Sequence, residues 1–303
     1  IDVLGHSIRQ GTVFIKDGKV VCVGNYNLTA NKTIDLDGKY VAPAFIDAHV
    51  HIESSMLTPS QYAKLVIPKG VGTVIADPHE IANVCGKTGL EFMQNDISPL
   101  RVKYMLPSCV PATPFDSSGA VLDADACKNE WKKGCFIGLG EMMNYPGVVY
   151  CDNDVINKLD ITNNIDGHIP LVSGNNLQAY ICGGINNDHE CSSSDEALEK
   201  ISLGMNIYIR EGTGAKNLEE LIKAVTPYNM SHFAFCTDDK HIDDIYNEGT
   251  INHCISKAIS LGMDAVTAFT LGSYNTARFY GLDKLGAVAP GYVADLVIMT
   301  KPD

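Results

Sequence analysis

Strand-like and helix-like stretches alternate eight times along most of this chain, and that alternation restricts its architecture more than any other property. Short runs with strand character fall at 40–48, 71–77, 102–109, 135–140, 164–168, 184–188, 205–210 and 233–237. Helix-like stretches lie between them, among them 58–68 behind Thr58-Pro59, 86–97, 194–203, 216–226 and 249–262. The segment Ser194-Asp195-Glu196 has the capping residue and the acidic first turn of a helix start. Strands separated by helices build a parallel sheet, because each crossover carries the chain back to the end it left. Eight such units predict an α/β fold closed as a TIM-like (β/α)8 barrel, and 303 residues with 45% hydrophobic content suffice for one. An open doubly wound sheet is the alternative. It would normally carry a glycine-rich phosphate loop after its first strand. Here the first strand ends instead in Asp47-Ala48-His49-Val50-His51.

The flanks read differently. Residues 11–24 hold two strand-like runs around Asp17-Gly18, the pattern of a hairpin. Residues 286–299 finish in the apolar run Ala294 to Met299 and look like more β structure. The two ends are expected to meet in one small β domain, formed by 1–40 and 283–303 and attached to a barrel of 41–282. Both ends read as cut from a longer chain.

Composition narrows the function. The formal charge of −13 argues against a nucleic-acid partner, which calls for a basic face. No apolar run is long enough to span a bilayer, so no membrane association is expected. The ten cysteines include no Cys-x-x-Cys pair, which suits a reducing cytoplasm better than a disulfide framework.

Ligand-type residues recur where the strands end. Side chains two apart on a strand face the same way, so His49 and His51 point together from the end of the first. Asp77, His79 and Glu80 follow the second strand, Glu141 the fourth, His168 the fifth, and Asp188, His189 and Glu190 the sixth. Arg210 and Glu211 follow the seventh, and Asp238 and Asp239 the eighth. In a barrel all these ends converge on one face, where such enzymes place their chemistry. Four histidines, a bridging carboxylate and a terminal aspartate suit a pair of divalent ions, which would make a hydroxide available at neutral pH. A lone buried histidine is more often a hydrogen-bonded core residue, but the coincidence of His49, His51, His168, His189 and Asp238 argues for a metal site. His79 and Glu80 are read equally well as loop residues or as supports for the ligands, and Arg210 with Glu211 as a structural ion pair. His253, in a helical stretch, is read as structural.

These residues resemble the amidohydrolase superfamily, and within it the adenine deaminases of bacterial type. The resemblance runs through nearly the whole chain. It is carried by Phe45-Ile46-Asp47-Ala48-His49-Val50-His51-Ile52-Glu53-Ser54-Ser55-Met56, by Ala76-Asp77-Pro78-His79-Glu80-Ile81-Ala82-Asn83 and by Gly140-Glu141-Met142-Met143-Asn144. Asp166-Gly167-His168, Asp188-His189-Glu190, Ile209-Arg210-Glu211-Gly212 and Cys236-Thr237-Asp238-Asp239 complete it. Ala44 departs from the glycine usual before the Phe-Ile-Asp run, and the C-terminal domain of longer members is absent. The resemblance implies hydrolytic deamination of adenine to hypoxanthine and ammonia. It implies that His49 and His51 hold one ion, His168 and His189 a second, and Glu141 the bridging place. Asp238 would bind metal and relay protons, a role for which Glu141 is the other candidate. Manganese is the metal implied, with iron or zinc able to occupy such sites. Asp239, Glu211, Arg210 and Glu53 are candidate contacts to the base, and a homo-oligomer is expected. Two other readings stay open. One is an amidohydrolase that opens a cyclic amide, with Arg210 clamping an acidic substrate. The other is a truncated metal-binding chain without turnover.

Overall fold

The computed structural model of the protein describes residues 1–113 and 115–302; Asp303, the last residue of the expected return segment, lies outside them. The strands in chain order are β1 (Thr12–Lys16), β2 (Lys19–Gly24), β3 (Tyr40–Pro43), β4 (Phe45–Val50), β5 (Val71–Ala76) and β6 (Arg101–Leu106). They continue as β7 (Phe136–Met142), β8 (Ile165–Gly167), β9 (Asn187–Asp188), β10 (Asn206–Arg210), β11 (Phe233–Cys236) and β12 (Leu296–Met299). β4 to β8 form a parallel five-stranded sheet in sequence order, and β9 to β11 a parallel three-stranded one. Backbone bonds join the sheets at both edges. Asp238 donates its N–H to His49 O at 2.9 Å, and Asn186 donates to Ile165 O at 3.4 Å. The result is a curled parallel α/β arrangement with helices in the connections.

Two helices begin close to their expected positions. Pro59–Val66 begins on Thr58-Pro59, where the proline has no N–H to lose in the first turn. Ser194–Ser202 is capped one residue earlier than expected, by Ser193, which accepts the N–H of Glu196, with Asp195 and Glu196 in the first turn. The helix expected at 216–226 is only Leu218–Leu221, continued as a tighter 3-10 turn over Ile222–Ala224.

Two strands are shorter than their apolar runs. The fifth and sixth shrink to three and two residues because side chains replace part of the ladder. Asn187 Oδ1 accepts the N–H of Gly167 at 3.0 Å, and Asn187 Nδ2 donates to Asp166 Oδ1 at 2.6 Å. A side chain at Gly167 would collide with the backbone oxygen of Asn187, so this close approach requires glycine.

The run at 40–48 is two strands in two sheets. β3 pairs antiparallel with β12, Tyr40 opposite Met299, while β4 enters the parallel sheet. β1 and β2 form the expected hairpin, with Asp17 and Gly18 both at positive φ.

Two clusters of the core bear on the site. Ala48, Ile75, Met105, Tyr208, Ala234 and Cys236 project from five strands of the two parallel sheets and pack with Tyr280 directly under the strand ends. A larger cluster fills the space between strands and helices. Each fully buried large aliphatic side chain contributes about 1.5–3 kcal/mol, so this double packing holds the strand ends stiffly.

Candidate metal centre

His49 lies on β4, all six of whose residues are buried, and His51 directly follows it. Their Nε2 atoms sit 3.1 Å apart. His51 Nδ1 faces Asp77 O at 2.8 Å. A carbonyl can only accept, so Nδ1 carries a proton and Nε2 is the nitrogen that faces the site. His49 also stacks on His189, ring centres 4.2 Å apart.

Glu141 sits at the centre. It is placed by Asp77, whose Oδ2 accepts the Glu141 N–H at 2.9 Å, and by Ser108, whose hydroxyl donates to Glu141 O at 2.6 Å. Gly140 makes room for this, since any side chain there would run into the Asp77 carboxylate. The two oxygens of Glu141 look in different directions. Oε1 lies 3.2 Å from His51 Nε2, 4.0 Å from His49 Nε2 and 3.1 Å from His79 Nδ1. Oε2 lies 2.7 Å from His168 Nδ1 and 3.3 Å from His189 Nε2. Burial alone would raise this carboxyl, but hydrogen bonds from His168, His189, His51 and His79 overcome it and hold Glu141 well below the carboxylate range. For His51 burial acts downward, and Asp238 and Glu141 reverse it, so the imidazole titrates well above its ordinary value.

Asp238 lies beyond β11, in a left-handed conformation with φ 54°. The strand has ended at Cys236, so strict alternation of sides no longer applies. Its N–H is tied to His49 O, and its Oδ1 stands 3.1 Å from His51 Nε2 and 3.6 Å from His49 Nε2. Asp239 Oδ1 accepts from the Ser54 hydroxyl, which also lies 2.9 Å from Glu80 Oε1. Glu53, Ser54, Glu80 and Asp239 line a cleft of about 470 Å³ with Met56, Thr213, Gly214 and His241. Burial raises Glu53, whose Oε1 accepts from the Ile81 N–H.

Two expected contacts to a ligand are engaged elsewhere. Arg210 is bound to Glu190 and Asp238. Glu211 turns to Lys257, whose Nζ donates at 2.8 Å, and takes no part in the cluster; the Arg210–Glu211 ion pair also does not form among the described ion pairs. His253 lies near Glu211 and Glu248, away from the centre. His79 comes closer than expected, onto Glu141 itself. Two further residues of the cluster stood in the quoted motifs but received no role from the sequence. Glu190 Oε1 is 3.4 Å from His189 Nε2, and Asp166 lies buried beneath His49, accepting from Tyr280 and Asn187. The signals for Asp166 were its place in Asp166-Gly167-His168 and an acidic residue inside an apolar strand run.

The donor set fits metal ions. His49, His51 and Glu141 form one group with ligand atoms within 4.8 Å of one another, and Glu141, His168 and His189 form another. His49 Nδ1 and His189 Nδ1 are buried with no hydrogen-bond partner, a costly state for imidazoles serving as ordinary core residues.

The sequence pattern of the amidohydrolase family matches residues 40–303, and the chain belongs to that family. Among its relatives, the adenine deaminase of Clostridium acetobutylicum is 47% identical over 305 residues, covering 99% of this chain and 53% of the relative. The adenine deaminase of Methanoculleus marisnigri is 46% identical over 292 residues, covering 95% of this chain and 56% of the relative. The chain thus spans about half the length of the curated relatives it matches. A crystal structure of an adenine deaminase superposes with a TM-score of 0.69 at 18% identity, covering 95% of this chain and 85% of that one, a likeness of fold.

Proposed function

We propose that this chain carries the catalytic barrel of an enzyme that hydrolyses adenine to hypoxanthine and ammonia. One observation carries the reading: Glu141 divides its two oxygens between the His49–His51 side and the His168–His189 side. That is the arrangement needed to bridge two cations while balancing their charge. His49, His51 and Asp238 would hold one ion, and His168 and His189 the other. When bound, the ions, proposed as manganese with iron or zinc as substitutes, would lower the pKa of water toward neutrality. In this reading the two parallel sheets are one closed (β/α)8 barrel, and the hairpin with the β3–β12 pair belongs to a small β domain.

The protein's own task is then to move protons. Addition of water at carbon 6 of adenine frees one proton, which must reach the ring nitrogen; collapse of the tetrahedral adduct frees the proton of the new hydroxyl, which must reach the departing amine so that it leaves as ammonia. Asp238 is favoured as the carrier on its position beyond β11, where Oδ1 stands beside the His49–His51 pair, and Glu141 is the alternative. Asp239 and Glu53, acceptors lining the cleft, suit the N–H edge of a neutral purine. The cyclic-amide reading needs a free basic clamp for an acidic substrate, and Arg210 is already paired with two carboxylates. A cytoplasmic homo-oligomer completes the proposal; the unpaired state of all ten cysteines suits a reducing compartment.

Ammonia release from adenine after reconstitution with manganese tests it, with adenosine, AMP and dihydroorotate in parallel. Adenine should turn over fastest, with two metal ions per chain. Faster turnover of adenosine or dihydroorotate overturns the substrate. A single ion that Glu141→Gln leaves in place overturns the bridge.

A further inference from the structure

Arg210 ends β10 and points its guanidinium into a space between two carboxylates from neighbouring strand ends. Nη1 contacts Glu190 Oε1, and Nη2 donates to Glu190 Oε2 at 3.1 Å, a forked pair. The same Nη1 donates to Asp238 Oδ2 at 2.6 Å. All three groups are largely enclosed, with side chains 12%, 15% and 7% exposed for Arg210, Glu190 and Asp238. The consequence for Asp238 is geometric. With Oδ2 fastened to Arg210, the carboxylate cannot swing, and Oδ1 is left facing His51 and His49. Glu190 is treated alike: its Oε1 faces His189 Nε2 at 3.4 Å and His168 Nδ1 at 3.8 Å. One guanidinium therefore aims a carboxylate toward each half of the cluster.

The backbone is prepared for this. Asn217 Oδ1 accepts the Arg210 N–H at 2.7 Å, and Asn217 Nδ2 donates to Cys191 O at 2.9 Å. A single side chain thus ties the segment carrying Glu190 to the strand end carrying Arg210, which fixes the spacing the fork must span.

We infer that Arg210 is a positioning residue that sets the metal-facing orientation of Asp238 and Glu190 through one forked guanidinium, and does not bind substrate. The inference rests on the proposed metal-dependent reading, but its test needs no turnover. Lysine cannot replace arginine here, because a point charge reaches one carboxylate at a time and lacks the planar fork.

The test is manganese affinity, measured by titration without adenine, for the wild-type chain, Arg210→Ala and Arg210→Lys. Loss of an outer partner of metal-binding groups typically weakens affinity about 10–100-fold. Arg210→Ala should fall in that range and recover in low-millimolar guanidinium, but not in methylammonium. Arg210→Lys, which guards against a folding failure in the alanine variant, should fold and still bind more weakly than wild type. Unchanged affinity in Arg210→Lys, or equal recovery with methylammonium, overturns the inference. Absence of adenine turnover by a wild-type chain that binds manganese would instead overturn the deaminase reading and leave this comparison standing.

Discussion

The two halves of the candidate metal centre are built by different means. His49 lies on, and His51 directly follows, a six-residue, wholly buried strand bonded on one side to β5 and linked on the other to Asp238. His168 and His189 follow strands of three and two residues, and His168 remains 29% exposed. Polar side chains replace the missing ladder. Tyr180 OH accepts the His168 N–H at 3.0 Å and donates to Met142 O at 2.7 Å. Asp188 Oδ1 accepts from Ile169 N–H at 2.9 Å, and its Oδ2 is held by Lys200 Nζ at 2.9 Å, both residues fully buried. A ladder shares load over many equivalent bonds, whereas each polar prop has a single partner and fails when that partner goes. The second half is accordingly the one that single substitutions should loosen.

The largest effect is expected in the first half, on chemistry rather than structure. Asp238→Asn keeps shape and a ligand oxygen but removes basicity, so kcat should fall by about two to four orders of magnitude while metal content is largely kept. Parallel measurement of metal and turnover checks it; an active variant transfers the proton to Glu141.

Next comes the root of the second half. Lys200→Met leaves Asp188 as a buried charge without its partner, a change that costs about 3–5 kcal/mol in comparable sites. Urea unfolding of the variant reads this directly, and a loss under 1 kcal/mol would show that the polar props are dispensable. The pH dependence has a defined sign. Burial would raise Asp188, but Lys200 draws it down to about 2. Its stabilising contribution in the wild type is therefore present above the unfolded value near 4 and is lost as pH falls through about 2. In Lys200→Met the defect should shrink on acidification, because protonation removes the unpaired charge.

A direct comparison of the halves uses His49→Asn and His168→Asn. Stepwise chelation should remove metal from His168→Asn first, with about 10–100-fold weaker affinity for one equivalent than in wild type and the other equivalent retained. If His49→Asn is the less damaged of the two, the contrast between ladder and props is wrong. The smallest effect belongs to Asp239→Asn at the exposed rim of the cleft. One lost hydrogen bond to a neutral ring changes KM by about threefold to tenfold, with kcat nearly unchanged.

Much of the fold could be read in advance because its signals are local. The helix over 194–203, the Asp17-Gly18 turn and the eight strand runs each depend on residues close in sequence. The split of 40–48 could not be read, because it depends on β12, more than two hundred residues away, taking Tyr40–Pro43 into a separate pairing. Among site residues, the strand-end histidines and Glu141 converge because parallel strands deliver their ends to one face. The partners of Arg210 and Glu211 were not readable. The two neighbours point to opposite sides, Arg210 to Glu190 and Asp238, Glu211 to Lys257. No local pattern names a partner 20 to 46 residues distant.

By itself, then, the sequence determined which residue types stand at the ends of which strands, since periodicity and chain order are properties of neighbouring residues. The tertiary structure alone decided how those groups share one another. It set the division of Glu141 between two histidine pairs, the capture of Asp238 Oδ2 by Arg210 and the diversion of Glu211 to a lysine. Each is a choice among several charged partners within reach, and the choice depends on distances of a few ångströms that only the packed fold defines.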